Sequence, residues 1–254
     1  MKDQNDFLYG NITKVVLMHY IRLFYRSVLF ITMLTAYVYD RLHGINAFSD
    51  LTETYPVITR VFMVVFLAEM FFRHFPSKLD SPGCQKQFAV NYQKIDNQKI
   101  HIEDNHSTFK VFIIWILFNM VFGALKLSGI LDDGIMLLIC SAYSLCDIIC
   151  ILFFCPIQSW FLKNKCCCTC RIYNWDYAMM FTPLFFVKPC CLHILLAMSL
   201  TLLIRWELTC HRHPERFSKN SNAYLNCENC SEKLCAHKKQ LRKLWNNIDN
   251  SANA

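Results

Sequence analysis

The sequence predicts an all-α transmembrane helix bundle of about five membrane-spanning segments, and three observations carry that prediction. Hydrophobic residues make up 54% of the 254 positions and charged residues only 18%, where a soluble domain carries about a quarter charged. The apolar residues fall in runs of roughly 20, the length that crosses the hydrocarbon of a bilayer as a helix. With 6 glycines and 7 prolines, the chain has too few turn formers for a β-rich or disordered protein. Backbone groups cannot be left unpaired in lipid, so the runs must be helical. A net charge of +7 would otherwise suggest nucleic acid. The basic residues, however, sit at the ends of apolar runs and in the tail, where membrane topology accounts for them, and no nucleic-acid partner is expected.

The first apolar stretch runs from about Tyr20 to Leu42, around Val28-Leu29-Phe30-Ile31-Thr32-Met33-Leu34. The second runs from Pro56 to Phe75 and the third from Phe109 to about Leu131. The fourth starts after Asp132-Asp133-Gly134 and ends near Pro156. The fifth extends from Tyr177 to Trp206 and is interrupted by Pro183, Lys188 and Pro189. A short acidic loop (Asp40 to Glu53), a polar loop (Pro76 to Ser107), a turn and a cysteine-rich loop (Leu162 to Asp176) connect them. Within the polar loop, the alternation Lys99-Ile100-His101-Ile102-Glu103 reads as a small hairpin. Residues 1–206 thus form a membrane domain, with its cysteine loop at 162–176, and 207–254 form a soluble, basic, cysteine-bearing tail.

Lys and Arg concentrate in the N-terminal segment (Lys2, Lys14, Arg22, Arg26), the long loop and the cysteine loop, against Arg41, Arg60 and Lys126 opposite. The N-terminus is therefore expected inside. A single crossing by the fifth segment would leave the basic tail outside, whereas a re-entrant hairpin at Pro183–Pro189 would return it inside. Single crossing is the expectation, because long tails translocate largely regardless of charge. The expected location is a bacterial cell membrane, with the bilayer as partner.

Ionisable residues at membrane depth are costly and mark functional sites by default. Asp147 lies near the middle of the fourth helix, on one face with Tyr143 and Cys150. Together with Asn119, Lys188 and His193 it is expected to form a polar layer, paired to Lys188 or His193. Nearer the inner face, His19, Arg22 and Arg26 form a stripe, and Arg26 with Glu69 reads as a helix-packing ion pair.

The 15 cysteines fall in two clusters plus a scatter. Cys140, Cys146, Cys150, Cys155, Cys190 and Cys191 lie in apolar runs and read as small hydrophobes. In the run Cys166-Cys167-Cys168-Thr169-Cys170, Cys167-x-x-Cys170 can point two thiolates at one ion or at each other, and Lys163, Lys165 and Arg171 favour the thiolate. Metal or redox chemistry, juxtamembrane lipidation and no special role are three open readings. The tail offers Cys227-x2-Cys230-x4-Cys235-x-His237, a Cys3His set suited to zinc, with iron–sulfur as the alternative. One residue between Cys235 and His237 is tight for joint ligation, and His211, His213 or Cys210 could substitute. On an outside tail, Cys227 and Cys230 would instead form a disulfide. Beyond the cluster, Lys238–Trp245 is a basic amphipathic turn with Leu241, Leu244 and Trp245 on one face, suited to an anionic leaflet.

The runs Cys170-Arg171-Ile172-Tyr173-Asn174-Trp175-Asp176, His213-Pro214-Glu215-Arg216-Phe217 and Cys227–Cys235 resemble segments of uncharacterised bacterial cysteine-rich multi-pass membrane proteins. The resemblance covers the last third of the chain and implies no activity. Cys167-x-x-Cys170 is also similar to that of membrane disulfide-generating enzymes. Their redox cysteines act on the exported side, whereas charge places this loop inside. The leading expectation is an accessory membrane protein with a cysteine-ligated metal in its tail. The alternatives are a membrane thiol–disulfide or electron-transfer enzyme using Cys167, Cys170, Cys146, Cys150, Cys190 and Cys191, and a small transporter using the polar layer.

Overall fold

The computed structural model describes residues 13–44, 57–95, 100, 105–163, 166–188 and 190–241. Of the alternating stretch 99–103 only Ile100 is among them, and residues 242–245 lie outside them. The helices are α1 (Lys14–His43), α2 (Val57–Phe72), α3 (Pro82–Gln85), α4 (Asn105–Leu127), α5 (Asp133–Leu152), α6 (Asp176–Phe181) and α7 (His193–Arg212). The tail adds helical turns over 234–241. Among the described residues there is no strand, only a single bridge between Lys94 and Asn222. The all-α expectation holds.

Four helices are long and apolar enough to cross a membrane: α1, α4 from His106 onward, α5 and α7. These spans bear out the expected transmembrane helix bundle, and α2, described from Val57 as 16 residues, packs among them through Phe62, Phe66 and Met70. What differs from expectation is the course of the fifth segment, treated below.

Helix α1 is capped at both ends. The Thr13 hydroxyl accepts from the Val16 N–H, and Gly44, at φ 65°, turns the chain and returns its N–H to the Asp40 carbonyl. Its 30 residues span about 45 Å at ~1.5 Å each, well beyond the ~30 Å of hydrocarbon. Both ends therefore project. At the far end Arg41 and Tyr37 meet Asp132, the N-cap of α5. At the near end His19 and Tyr20 stand clear to meet the tail. Between these ends α1 packs along α5, whose buried Ser141 and Ser144 are small enough for close helix approach, as membrane interfaces require.

The segment expected to cross once instead folds into a hairpin. The chain leaves the cysteine loop through α6 and the 3-10 turns Thr182–Phe186, reverses near 187–192 and returns as α7. Its two ends lie level: Trp206 donates its indole N–H to the Arg171 carbonyl (2.9 Å), and Glu207 accepts from the Trp175 indole (2.7 Å). Pro183 interrupts α-helical pairing on the descending leg. The 3-10 rise of ~2.0 Å per residue then carries a short leg deep into the bundle. Phe186 reaches α4 at Gly123, where an added Cβ would lie 2.4 Å from the ring. The tail therefore shares a face with the cysteine loop and the start of α1. The basic residues of the tail then fall beside those of the loops, and the charge asymmetry is consistent throughout.

Candidate functional site

At membrane depth the expected polar layer does not assemble. Asp147 pairs with Arg26 of α1 (3.2 Å) rather than with Lys188 or His193. Lys188 is exposed near the hairpin tip, His193 opens α7, and the Asn119 amide bonds back to the Trp115 carbonyl of its own helix (2.9 Å). The physical reason is the hairpin, which carries Lys188 and His193 toward its tip and away from Asp147. The Arg26–Glu69 pair does form, at 2.8 Å. Arg26, 1% exposed, also donates to the Ser144 carbonyl (2.9 Å), and Glu69 accepts from the Tyr177 hydroxyl (2.9 Å). One cation thus ties α1, α2 and α5 together, with α6 joined through Glu69. Beside it Arg73 donates to Asn174 (3.0 Å) and Asp176 (2.7 Å).

The thiols gather on the N-terminal face. Helix α3 is a single turn capped by the Ser81 hydroxyl, which in turn donates to the Tyr173 hydroxyl (2.8 Å). Gly83 lets this turn press on the cysteine loop, since a Cβ there would lie 3.1 Å from the Cys168 Cα. One residue past the turn, Lys86 (1% exposed) donates to the carbonyls of Cys168 (3.3 Å) and Cys170 (2.5 Å). Its ammonium also lies 5.0 Å from the Trp206 ring centre and 5.4 Å from that of Phe217. Two carbonyl dipoles and two aromatic faces thus hold a cation under the loop. Arg171 grips Glu207 with both terminal nitrogens (2.9 and 2.5 Å).

The tail closes over this loop. Its Ala223 N–H donates to the Gln93 carbonyl (2.8 Å), and Ile95 N–H donates to the Ser221 carbonyl (3.1 Å). Glu232, fully buried, meets His19 (2.9 Å) with one oxygen and accepts from the Cys168 thiol (3.2 Å) with the other. His237 meets the Tyr20 hydroxyl (2.7 Å), and Leu234 packs with Val16, Ile148 and Leu152. Lys238 turns inward, toward the Cys150 carbonyl (3.4 Å) and the Cys167 thiol (3.7 Å), so it is not free to face a leaflet.

Closure brings the two cysteine clusters together in pairs. Cys168 faces Cys230 at 4.0 Å between sulfurs, and Cys166 hydrogen-bonds both Cys168 and Cys235. The tail set expected from spacing does not converge. Cys227 is exposed, Cys230 and Cys235 turn to the loop, and His237 turns to Tyr20. Likewise Cys167 donates to the Gln158 side chain (3.4 Å), whereas Cys170 packs with Trp206, Cys210 and Phe217. Among the described residues, no three or more His, Cys, Asp and Glu side chains are arranged to hold a metal ion. Cys166 and Cys168 escaped the spacing argument, which followed the x-x rule of helical turns. Ahead of the 3-10 turn the chain at Cys166 is extended, and in extended chain alternate residues share a face. Doubly spaced cysteines were the signal.

The pairing polarises the thiols. The hydrogen bond from Cys168 holds Cys230 down to about 6, helped by the Lys233 and Glu232 amides against the cost of burial. Cys168 is pushed well above the ordinary thiol range by its bonds to Cys166 and Cys230 and by burial. Cys166 is lowered by its bonds to Cys168 and Cys235, and Cys235 is raised correspondingly. Each loop–tail pair therefore joins a thiolate-prone sulfur to one that keeps its proton.

No family model, curated protein or solved structure matches the chain, so the site is read from its own geometry.

Proposed function

We propose that this chain is a membrane thiol–disulfide protein whose reactive groups sit where the cysteine loop meets the tail. One observation carries the reading: Cys168 lies against Cys230 across 62 positions of sequence, with Cys166 against Cys235 beside it. Cys230 is half-buried and thiolate-prone, whereas Cys168 is buried and keeps its proton. That asymmetry suits exchange. The Cys230 thiolate attacks a substrate disulfide and releases one thiol. Cys168 then displaces the second, leaving a Cys168–Cys230 bond and a fully reduced substrate. A disulfide needs about 2.05 Å between sulfurs, so the two side chains must rotate together from their present 4.0 Å. The resemblance to bacterial membrane proteins supports a bacterial cell membrane as the location, and the basic residues support an inward thiol face.

The test is peptide mapping of the full chain in detergent, equilibrated across a glutathione redox series. Cys168–Cys230 and Cys166–Cys235 disulfides should appear together over a defined poise. A folded chain that forms neither bond at any poise would refute the reading.

Zinc is the second reading, on one distance. Thiolates held at about 2.3 Å in a tetrahedron lie roughly 3.8 Å apart, close to the Cys168–Cys230 separation of 4.0 Å. The ligands would then be Cys166, Cys168, Cys230 and Cys235, reoriented from their present positions. Zinc near one per chain after anaerobic purification, lost in Cys168→Ser and kept in Cys227→Ser, would support it. Metal-free protein would discard both zinc and iron–sulfur.

A further inference from the structure

Helices α4 and α5 are joined by a short turn, yet α4 leans on the π-helical turn Ile157–Leu162 and on the 3-10 leg of the hairpin rather than along α5. Between them lies a cavity of about 340 Å³, with Phe118 and Phe161 in its mainly apolar wall. A cavity of about 150 Å³ in a protein core takes benzene, so by that measure this one takes a chain of roughly a dozen carbons. Such a guest reaches it from the lipid phase, because α4 and α5 are both long and apolar enough to cross a membrane.

Three residues of the wall carry polar atoms without partners. The Trp115 indole N–H, the Asn119 side-chain carbonyl and the Tyr143 hydroxyl are buried and hydrogen-bond to nothing among the described residues. Trp115 and Asn119 stand one turn apart on the same face of α4. Tyr143 of α5 lies across from them, its ring centre 6.5 Å from that of Phe118. Trp115 is 9% exposed and Asn119 2%, and buried groups left unbonded are costly enough to need an explanation. Asp147 and Asp176 also line the cavity, paired with Arg26 and Arg73, and Asp176 Oδ1 bonds to nothing further. No Lys, Arg or His among the described residues lines it. An anionic head would therefore meet carboxylates and no cation.

We propose that the cavity binds a single-chain fatty acid in its uncharged, protonated form. A protonated carboxyl is the complement of the three unpartnered atoms. Its C=O accepts from the Trp115 and Tyr143 donors, and its O–H donates to the Asn119 carbonyl. An alcohol brings one oxygen to the same three atoms, and a phospholipid head brings a phosphate that finds no cation. Burial favours the protonated form of a carboxyl, and neighbouring carboxylates act in the same direction. The chain lies along the apolar wall and covers Cys150 and Cys155, which also line the cavity. Binding makes no use of the loop–tail thiols, so it stands or falls apart from the function proposed above.

The experiment uses the full chain in phosphatidylcholine nanodiscs, with radiolabelled dodecanoic acid, its methyl ester and dodecylamine as probes. The acid should bind saturably at one per chain, about tenfold tighter than the ester, which has no O–H for Asn119. Asn119→Leu should erase that preference and keep ester binding. Tyr143→Phe should weaken both probes, because each offers a carbonyl. In the wild type, saturating acid should slow alkylation of Cys150 and Cys155 severalfold and leave the exposed Cys227 unchanged. The acid–ester comparison and the labelling need no variant to fold. Uptake no greater than that of protein-free nanodiscs, or equal affinity for acid and ester, overturns the proposal. So does tighter binding of the amine, which would make the aspartates the determinant. Binding that leaves the labelling of Cys150 and Cys155 unchanged would put the acid elsewhere and overturn it equally.

Discussion

Arg26 and Lys86 are equally buried, at 1% exposure each, but they are held in opposite ways. Arg26 sits at membrane depth between two carboxylates on different helices, and the helix that carries Asp147 also gives it the Ser144 carbonyl. Lys86 sits on the N-terminal face, under two carbonyls of the cysteine loop and beside two aromatic rings from α7 and the tail. In hydrocarbon an uncompensated charge costs several kcal/mol, so a membrane cation is matched by opposite charge on rigid helices. At the face a cation can be held by dipoles and π faces, which loops and tails supply. The first arrangement fixes helix packing. The second fixes the loop that carries the thiols, and leaves those thiols paired with a separate segment of the chain.

Arg26→Met should cost the most. It strands Glu69 and Asp147, and breaking a buried pair costs about 3–5 kcal/mol. Denaturation in mixed micelles should show global loss of stability with uniform exposure of thiols. A loss below about 1 kcal/mol would show that charge pairing does not hold the bundle. Lys86→Met should cost about 1–3 kcal/mol and act locally. Maleimide labelling of Cys168 should rise severalfold while helix content is unchanged. If both variants behave alike, the contrast between the regions is wrong.

Gly83→Ala places a Cβ 3.1 Å from the Cys168 Cα, and overpacking of this kind costs about 1–3 kcal/mol. It should shift the loop and lower the yield of Cys168–Cys230 disulfide, with the Arg26 network intact. Alkylation of Cys230 sharpens the picture by pH. Its thiolate should form as pH rises through about 6, against about 8.5 for an ordinary thiol. Cys168→Ala, which removes the donor, should move that midpoint upward. An unmoved midpoint would mean that Cys168 does not polarise its partner. Cys227→Ser, at an exposed position, should change stability by less than about 0.5 kcal/mol and leave both disulfides intact.

Much of this was readable along the chain because it depends on local pattern. Apolar runs, breaks at Asp132 and Gly134, and the i-to-i+4 relation of Arg22 and Arg26 all report on one helix at a time. The Arg26–Glu69 pair was legible for the same reason: each residue sits at a comparable depth from the same face. Asp147 was misassigned because its partner depended on which helix packs beside α5. The buried serines that let α1 approach were readable only as polar positions in an apolar run.

The sequence by itself determined that the protein is helical and that its apolar runs are long enough to cross a membrane. Composition, run length and the cost of unpaired backbone in lipid leave no other solution. Only the tertiary structure decided that the chain after Asp176 turns back. A single crossing and a hairpin satisfy the same hydropathy, and the choice depends on 3-10 rise, on the gap at Gly123 and on the contacts of Trp206 and Glu207. That turn in turn decided the chemistry of the cysteines. Spacing can propose which thiols share a local turn, but Cys168 meets Cys230 only because α7 returns the tail to the face from which the loop departs.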